Sequence, residues 1–435
     1  MKLKKNQTVT AGDRTFRVEE VLGEGGQGEV YLAVSEGRRY ALKIYKEMPS
    51  EDFCYNLKNN VEKGRPSEAF LWPSALVRGE GLFGYVMDLR PKNFVSFVSY
   101  LTGKNRFCDQ ATLLHWCIEL CLSFKKLHEM GYSYQDLNDG SFFLDPDTGD
   151  LLICDNDNVT ADKKNLGILG KMRYMAPEIV RGDTDPRTRE RQMPDVHSDR
   201  FSLAVILFMA LCLGDPYEGE RLKNYPLMDE RAQLEMYGES PIFVYHKSDR
   251  SNRPIRGYHT SVGRRWPPLP LYIKEAFHRT FVDGLADREN GRTTELEWLR
   301  LLTRYRDELV TCRCGYQYAY GLFERGTGGE CPLCRETHTG DVCVLHLGKN
   351  RILLEPHKKL YSHHADKYSS AYNGEVGEVI RNKHNPALWG LRLHLGDVLI
   401  KDVGGAEKTV PDGGVVPIVK GLKIQFKENM IGEIK

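Results

Sequence analysis

The first part of the chain alternates apolar and polar residues in short runs separated by glycines. Residues 13–46 contain three such runs and predict three short antiparallel strands joined by tight turns. The pattern of 50–63 is helical, and 81–89 predicts a further hairpin strand. From residue 109 onward the apolar positions recur at helical spacing, so the chain changes from strands to helices.

The later segments complete a predicted domain order. Apolar runs near 198–212 and 294–308 predict buried helices. Strands followed by helices are typical of an α+β, two-lobed domain, which we place at 10–310. A cysteine-rich segment follows at 311–345. The Gly- and Val-rich residues 346–435, with short alternating runs, predict an all-β, sandwich-like module.

Composition narrows the class of protein. The chain has 435 residues, 41% hydrophobic and 28% charged, with a formal net charge of +1. This balance gives no global field for nucleic acid or for an anionic membrane. The apolar run 203–213 is too short to span a bilayer, and no apolar stretch follows the basic residues 1–5 as a signal peptide requires. Of 11 cysteines, four cluster and the rest are scattered, which favours a reducing, cytoplasmic location.

A glycine-rich loop is predicted between the first two strands. Gly23, Gly25, Gly28 and Val30 satisfy the pattern G-x-G-x-x-G-x-V. Glycines allow a backbone to approach phosphate oxygens closely, although many glycine-rich hairpins fit the same pattern. Because a strand follows the loop, a dinucleotide site is disfavoured. Lys43 on the next strand is then placed to pair with phosphates, whereas a lone lysine is usually a surface residue.

Two aspartates in the middle of the chain carry the candidate chemistry. Asp136 lies in the loop Tyr134-Gln-Asp-Leu-Asn-Asp-Gly-Ser141, and Asp155 follows nineteen residues later in Ile153-Cys-Asp-Asn-Asp157. Together with the loop and lysine before them, these segments resemble the eukaryotic-like serine/threonine protein kinases of bacterial type. The resemblance runs from about residue 13 to 305. Further matching motifs are Tyr40-Ala41-Leu42-Lys43, Val86-Met87-Asp88-Leu89, Met175-Ala-Pro-Glu178, Ser198-Asp-Arg-Phe-Ser202 and Arg292, which is expected to pair with Glu178.

The resemblance implies roles for individual residues. Asp136 would accept the proton of a substrate hydroxyl, Asp155 would hold Mg²⁺ or Mn²⁺, and Lys43 would fix ATP. Glu62 is the glutamate expected to position Lys43, with Glu51 and Glu68 as alternatives. The implied ATP-binding residues are Gly23, Gly25, Gly28, Val30, Ala41, Lys43, Met87 (as gatekeeper), Asp88 and Leu89.

The catalytic loop also departs from the family. Tyr134 and Gln135 replace the histidine and arginine of the family motif, and that arginine normally meets a phosphate on the activation segment. Between Asp155 and Pro177 the only hydroxyl side chains belong to Thr160 and Tyr174. We therefore predict that activation-segment phosphorylation is not required.

Other departures concern charge and metal. Asn138 stands where the family has a lysine, and Ser141 where it has a metal-binding asparagine. Asn156 and Asp157 replace the phenylalanine and glycine that follow the metal-binding aspartate in the family. Asp157 or Asp139 could supply the missing oxygen ligand, because Mg²⁺ asks only for oxygens; the alternative is that both are ordinary turn residues. Losing one charge-stabilising contact slows phosphoryl transfer by roughly 10²–10³-fold without abolishing it.

The clustered cysteines predict a structural zinc ribbon. Cys312, Cys314, Cys331 and Cys334 form two short-spaced pairs, as a tetrahedral Zn²⁺ site requires. His338 is an alternative ligand, although a surface histidine is the commoner case. Four thiolates leave no open position for catalysis.

The last module loosely resembles forkhead-associated β-sandwiches. Such a module would read phosphothreonine or simply dock a protein partner or substrate, and both readings stay open. For the whole chain, the sequence favours an ATP-dependent serine/threonine kinase, with a nucleotide-binding pseudokinase scaffold as the alternative. A zinc-ribbon nucleic-acid adaptor is disfavoured by the near-zero net charge.

Overall fold

The computed structural model resolves the chain into two compact units. The described residues are 2–79, 81–167, 170–185, 187–321, 329–338, 342–366, 369, 371–386, 388–427 and 430–435. The first unit comprises Met1–Phe107, Ser123–Gly263 and Ala276–Glu295, and the second comprises Cys108–Leu122, Arg264–Glu275 and Leu296–Lys435. This division joins 311–435 into one unit, whereas the sequence predicts boundaries at 310 and 345.

The first unit opens with a closed six-stranded barrel. Its order is β1-β2-β3-β4-β6-β5, and β1 closes it by pairing with both β2 and β5. Alternating residues of these strands fill the interior, which explains the alternation in the sequence. The strands of this unit are β1 (Thr8–Ala11), β2 (Arg14–Glu24), β3 (Gly28–Ser35), β4 (Arg38–Tyr45), β5 (Ala75–Gly79), β6 (Leu82–Asp88), β7 (Val95–Ser96), β8 (Tyr132–Ser133), β9 (Phe142–Leu144), β10 (Leu151–Ile153) and β11 (Thr160–Ala161).

Helices are the main regular elements in the remainder of this unit. The helices through its end are α1 (Glu51–Lys63), α2 (Phe97–Leu101), α3 (Gln110–Glu129), α4 (Pro177–Arg181), α5 (Val196–Cys212), α6 (Glu230–Gln233), α7 (Thr260–Arg265), α8 (Leu271–His278), α9 (Gly284–Ala286) and α10 (Glu295–Asp307). Of these, α3, α7, α8 and α10 have residues in both units. The helices predicted at 50–63, 198–212 and 294–308 are confirmed as α1, α5 and α10.

Local signals explain where these helices begin and end. The side chain of Ser50 accepts a hydrogen bond from the Phe53 amide and starts α1, while Gly64, with φ of 78°, ends it. Asp195 starts α5 through a reciprocal capping box with Ser198. The helix α5 is buried on nearly every side, which is why its sequence is apolar without a polar face. Within the described residues, no helix combines the length and apolarity needed to cross a bilayer.

Two short strand pairs position the candidate site. The hairpin of β9 and β10 separates the Asp136 loop from Asp155 and pairs Phe142 with Ile153. The pairing of β8 with β11 sets Ser133 opposite Thr160. The residues that follow β8 therefore lie beside the start of the segment that follows Asp155.

The second unit contains the predicted all-β module. Its strands are β12 (Leu309–Thr311), β13 (Gln317–Ala319), β14 (Cys343–Leu347), β15 (Asn350–Leu354), β16 (Lys359–Tyr361), β17 (Glu375–Arg381), β18 (Trp389–Leu393), β19 (Val398–Lys401), β20 (Glu407–Val410), β21 (Val415–Pro417), β22 (Lys423–Lys427) and β23 (Met430–Ile434), with one short helix α11 (Ser362–Ala365). A six-stranded sheet of order β15-β14-β23-β22-β19-β20 and a four-stranded sheet of order β16-β17-β18-β21 share one apolar core. The prediction of a β-rich C-terminal region is confirmed.

Candidate active site

The buried centre of the site is an ion pair between Lys43 and Asp157. The Nζ of Lys43 lies 2.7 Å from Asp157 Oδ2 and 3.9 Å from Asp155 Oδ1. The hydroxyl of Tyr45, also on β4, donates to the same Asp157 oxygen. Burial tends to lower the pKa of Lys43, but the two carboxylates outweigh it and raise that pKa. Lys43 is therefore held fully charged inside the cleft.

Glu62, the glutamate predicted to position Lys43, does not lie near it. Its side chain is 59% exposed and lies 3.5 Å from Lys58 Nζ, one turn away on the same helix. The buried face of α1 carries Phe53, Leu57 and Asn60, and Glu62 is about 200° further around the helix from Asn60. The structure pairs Lys43 with Asp157 instead.

The two alternative glutamates are also remote from Lys43. Glu51 is exposed in the first turn of α1, and Glu68 pairs with Arg65 at the surface. Position 157, where the family has a glycine, thus supplies the carboxylate that the helix lacks.

Amide side chains join α1 to the segment after Asp155. The Nδ2 atoms of Asn56 and Asn60 both donate to the carbonyl of Val159 at 2.8 Å. Asn156, which stands where the family has phenylalanine, is buried, and its Nδ2 donates to the carbonyls of Leu71 and Ile153 at 2.9 Å. These bonds fix the backbone on both sides of Asp157, so its carboxylate is held against Lys43.

The Asp136 carboxylate accepts a hydrogen bond from Asn138 Nδ2 at 3.2 Å. Burial raises the pKa of Asp136, while Asn138 and Lys171 lower it, and the net direction is upward. A carboxylate with a raised pKa is a better proton acceptor than a solvated one. This is the property a general base requires.

The backbone of the catalytic loop is anchored to α5. Asp199 accepts hydrogen bonds from the amides of Tyr134, at 2.6 Å, and Gln135, at 3.1 Å. His128 lies between two carboxylates, with Nε2 3.1 Å from Asp199 and Nδ1 2.9 Å from Glu295. Burial alone would lower the pKa of His128, but these contacts raise it to about 9, so both ring nitrogens carry protons.

Gln135 holds the start of the activation segment. It has a left-handed φ of 71°, and its Nε2 lies 2.6 Å from Thr160 Oγ1 and also donates to the carbonyl of Lys164. A neutral amide therefore occupies the position of the family arginine and contacts the segment directly. The two hydroxyl-bearing residues of the segment, Thr160 and Tyr174, are only 1% and 3% exposed.

The predicted ATP-binding side chains converge on one apolar cluster. Ala41 and Met87 are cross-strand partners on β4 and β6. Val30 and Leu89 pack against the same cluster, as does Leu152 from β10. The side chain of Asp88 points to solvent and contacts Arg65. A cluster of apolar side chains of this kind suits the binding of a flat heterocyclic ring.

The glycines of the loop serve different purposes. A Cβ on Gly28 would come within 2.5 Å of the Ile44 carbonyl, so the close approach of β3 and β4 requires glycine there. At Gly23 a Cβ would meet nothing within 4 Å, and at Gly25 it would meet only Gly28. Those two positions leave open space beside the backbone.

Three oxygen-bearing side chains lie where a metal is expected. Asp155, in a left-handed conformation with φ of 56°, points its carboxylate outward with 58% of the side chain exposed. Ser141 Oγ and Asp157 Oδ1 are buried, and neither has a hydrogen-bond partner among the described residues. Unpartnered buried oxygens fit a site that a hard cation would complete.

A buried ion pair closes the helical part of the first unit. Arg292 binds Glu178 through two hydrogen bonds, of 2.8 and 2.7 Å. Both side chains are nearly inaccessible to solvent. The pairing predicted from the sequence is confirmed.

The part of the chain that carries these residues is similar to proteins that are already known. A family model described as a protein kinase domain matches residues 84–255, which include Asp136, Asp155 and Glu178. This segment of the chain is therefore similar to protein kinase domains. Protein kinase YegI of Escherichia coli K12 is 24% identical over 346 residues, which cover 76% of this chain and 50% of that protein. The chain therefore spans about half the length of this curated relative.

Relatives of the kinase domain also occur in eukaryotes. The ribosomal protein S6 kinase alpha-2 of Homo sapiens is 25% identical over 237 residues, covering 51% of this chain and 30% of that protein. A putative ribosomal protein S6 kinase alpha-1 of Caenorhabditis elegans is 24% identical over 239 residues, covering 52% and 29%. Each of these two matches covers about half of this chain.

The four clustered cysteines of the second unit converge in space. The Sγ atoms of Cys312 and Cys334 are 3.4 Å apart, and those of Cys314 and Cys331 are 3.7 Å apart. All four Sγ atoms lie within 4.8 Å of one another. A tetrahedron of thiolates around Zn²⁺ has edges of about 3.8 Å, given Zn–S distances near 2.3 Å. The cluster therefore fits a zinc ion.

Sequence reasoning missed several residues of this site. The hydroxyl of Tyr45 and the amides of Asn56 and Asn60 carry no motif, and their contacts appear only once the chain is folded. Asp157 was expected as a metal ligand or turn residue, yet one of its oxygens binds Lys43. The sequence did contain a signal for this role of Asp157. An acidic residue stands in place of the family glycine next to the metal-binding turn, and α1 has no glutamate on its inward-facing side.

Proposed function

We propose that this chain is an ATP-dependent protein serine/threonine kinase. The observation that carries the proposal is the buried Lys43–Asp157 pair, with Asp155 at 3.9 Å from the same ammonium. In a pseudokinase, which is not selected for catalysis, no other carboxylate would need to take the place of the helix glutamate that normally pairs with this lysine. Here the replacement is complete, since Lys43 keeps both a buried carboxylate partner and its charge.

The chain's own residues would act in the following way. The apolar cluster of Val30, Ala41 and Met87 binds the adenine ring, and the backbone at Gly23 and Gly25 approaches the phosphates. Lys43 binds the α- and β-phosphates through its charge. Asp136 then orients the hydroxyl of a serine or threonine and accepts its proton.

Asp155 and Ser141, with Asp157 Oδ1 as a further oxygen, are the residues that would hold Mg²⁺. When bound, Mg²⁺ neutralises the phosphate oxygens of the nucleotide. The protein itself positions these oxygens. At Asp155 the left-handed backbone directs the carboxylate toward solvent.

We also propose that the kinase does not require phosphorylation of its activation segment. The support is Gln135, whose amide binds Thr160 and the Lys164 backbone without any charge to be neutralised. Treating the purified protein with a phosphatase before the assay should leave its rate unchanged. A large drop in rate, restored by incubation with ATP, would contradict this.

The cysteine cluster is proposed to bind one structural Zn²⁺. Its support is the Sγ geometry, together with backbone hydrogen bonds that shape each pair, from the Gly315 amide to the Cys312 carbonyl and from the Arg335 amide to the Cys331 carbonyl. The adjoining β module is proposed to dock a protein partner or substrate. Its sandwich architecture is compatible with such a surface.

One assay separates the kinase from a nucleotide-binding scaffold, which the replacements Asn138 and Ser141 would favour. The full chain is incubated with γ-labelled ATP, Mg²⁺ or Mn²⁺, and casein, next to the variant Asp136→Asn. Transfer of label by the wild type alone supports the kinase. Equal absence of transfer in both proteins, with ATP still raising the melting temperature, supports the scaffold.

A further inference from the structure

The positive charge that the catalytic loop lacks at position 138 is present on another segment. The Nζ of Lys171 lies 3.1 Å from Asn138 Oδ1. The Nδ2 of the same asparagine lies 3.2 Å from Asp136 Oδ1. A single side-chain amide thus connects the Lys171 ammonium with the Asp136 carboxylate.

The ammonium of Lys171 lies next to the side chain that stands in place of the missing lysine. It lies one hydrogen bond beyond the tip of Asn138, and a lysine side chain at 138 would extend further than asparagine into that same region. The charge is therefore displaced in the sequence by 33 residues while staying beside Asp136 in space.

The segment that carries Lys171 is firmly anchored. Arg173, two residues further on, binds the buried Asp215 at 2.7 Å and Glu218 at 3.4 Å. The amide of Tyr174 donates to the Lys171 carbonyl at 2.9 Å and closes a turn. Because the backbone is fixed on one side, mainly the lysine side chain itself remains to be ordered beside the catalytic loop.

A plain surface ion pair is the competing explanation. Lys171 Nζ is 3.7 Å from Asp139 Oδ1, and the Lys171 side chain is 61% exposed. Exposed ion pairs of this kind contribute only about 0–1 kcal/mol to the stability of the fold, so the pair with Asp139 alone does not explain the position of the lysine. The same exposure leaves the ammonium free to approach a ligand in the cleft.

We propose that Lys171 is a catalytic residue that contacts the phosphoryl group during its transfer, in place of the lysine that Asn138 has replaced. This inference rests on the proposed kinase function. In the step, the substrate hydroxyl oxygen bonds to the terminal phosphorus of ATP, and the bond from that phosphorus to the bridging oxygen breaks. The electron pair leaves with ADP, the hydroxyl proton passes to Asp136, and Lys171 neutralises charge on the oxygens of the moving phosphoryl.

The electrostatics of the carboxylates agree with this placement. Burial is the largest influence on both Asp136 and Asp155 and raises the pKa of each, while Lys171 lowers both. The charge of Lys171 therefore acts on both aspartates that flank the reacting groups.

The test uses charge removal, charge retention and charge relocation in the full chain. Lys171→Met removes the ammonium, Lys171→Arg keeps a cation, and Asn138→Lys with Lys171→Met returns the charge to the family position. Lys247→Met, at an exposed loop lysine, is the matched control.

Transfer of label from γ-labelled ATP to casein is measured for each variant, together with its melting temperature. Lys171→Met should lower kcat by about 10²–10³-fold with KM for ATP and the melting temperature nearly unchanged. Lys171→Arg should retain most of the rate, and the relocated charge should recover at least part of the loss. Lys247→Met should behave like the wild type.

Each contrary result has a distinct meaning. Full activity of Lys171→Met would refute the inference while leaving the kinase intact. A loss that neither the arginine nor the relocated lysine repairs would also refute it. A wild type as inactive as Asp136→Asn would refute the proposed function itself, and the inference with it.

Discussion

Removing the Asp157 carboxylate tests the most unusual contact of the site. The variant Asp157→Asn keeps the shape of the side chain but leaves the buried Lys43 ammonium without its 2.7 Å partner. Breaking a buried pair from one side costs about 3–5 kcal/mol. Because Asp155 remains 3.9 Å from Lys43 and an amide oxygen can still accept a hydrogen bond, we expect a loss at the lower end, about 3 kcal/mol.

The expected loss converts into a measurable change in melting temperature. For domains of this size, 1 kcal/mol corresponds to about 2–4 °C, so Asp157→Asn should melt about 6–12 °C below the wild type. Saturating ATP with Mg²⁺ should recover part of this difference, because its phosphates give Lys43 a new anionic partner. Thermal unfolding followed by circular dichroism, with and without nucleotide, measures both effects.

Glu62→Gln is the matched control. It removes a carboxylate from α1 that is 59% exposed, so its effect on stability should stay within about 0.5 kcal/mol. A double-mutant cycle of Asp157→Asn with Lys43→Met should show strong coupling, since the double variant has no unpaired charge. If Glu62→Gln destabilises the protein more than Asp157→Asn, or if the cycle shows no coupling, the assignment of Asp157 as the partner of Lys43 is wrong.

Three further outcomes are expected. The pKa of His128 is raised from 6.5 to about 9, so its contribution to the free energy of unfolding, about 3 kcal/mol, is complete below pH 6.5 and is lost as the pH rises through 9. The melting temperatures of the wild type and His128→Asn should converge over that pH range, and a constant difference between them would contradict this. Gln135→Ala, which frees the start of the activation segment, should lower kcat by about tenfold or more without weakening ATP binding, and an unchanged kcat would argue against this tether. Metal analysis should find about one zinc ion per chain, with Cys331→Ser losing it, and a zinc-free native protein would overturn the zinc site.

The sequence predicted what depends on local pattern and motif order. Alternation and turn glycines located four of the six barrel strands, β2, β3, β4 and β6, but not β1 or β5. The order of Gly28, Lys43, Asp136 and Asp155 along the chain predicted the site. The Arg292–Glu178 pair followed from the family resemblance. These features could be predicted because each depends on a few neighbouring residues or on a known spacing.

The contacts that required folding could not be predicted in the same way. Lys43 and Asp157 are separated by 114 residues, and only the burial of α1 with Asn60 facing inward and Glu62 outward decides between the two carboxylates. Lys171 likewise resembles any loop lysine until the anchored segment carries it to Asn138. In both cases the contact joins side chains that are far apart in the sequence.

The most direct test of the account is the rate of phosphoryl transfer from γ-labelled ATP to protein hydroxyls by the full chain and by Asp136→Asn. The kinase account predicts label on serine or threonine for the wild type and a rate about 10²–10⁴-fold lower for the variant, since Asp136 is the proton acceptor. Equal rates, or no transfer from either protein while ATP still raises the melting temperature, would contradict it.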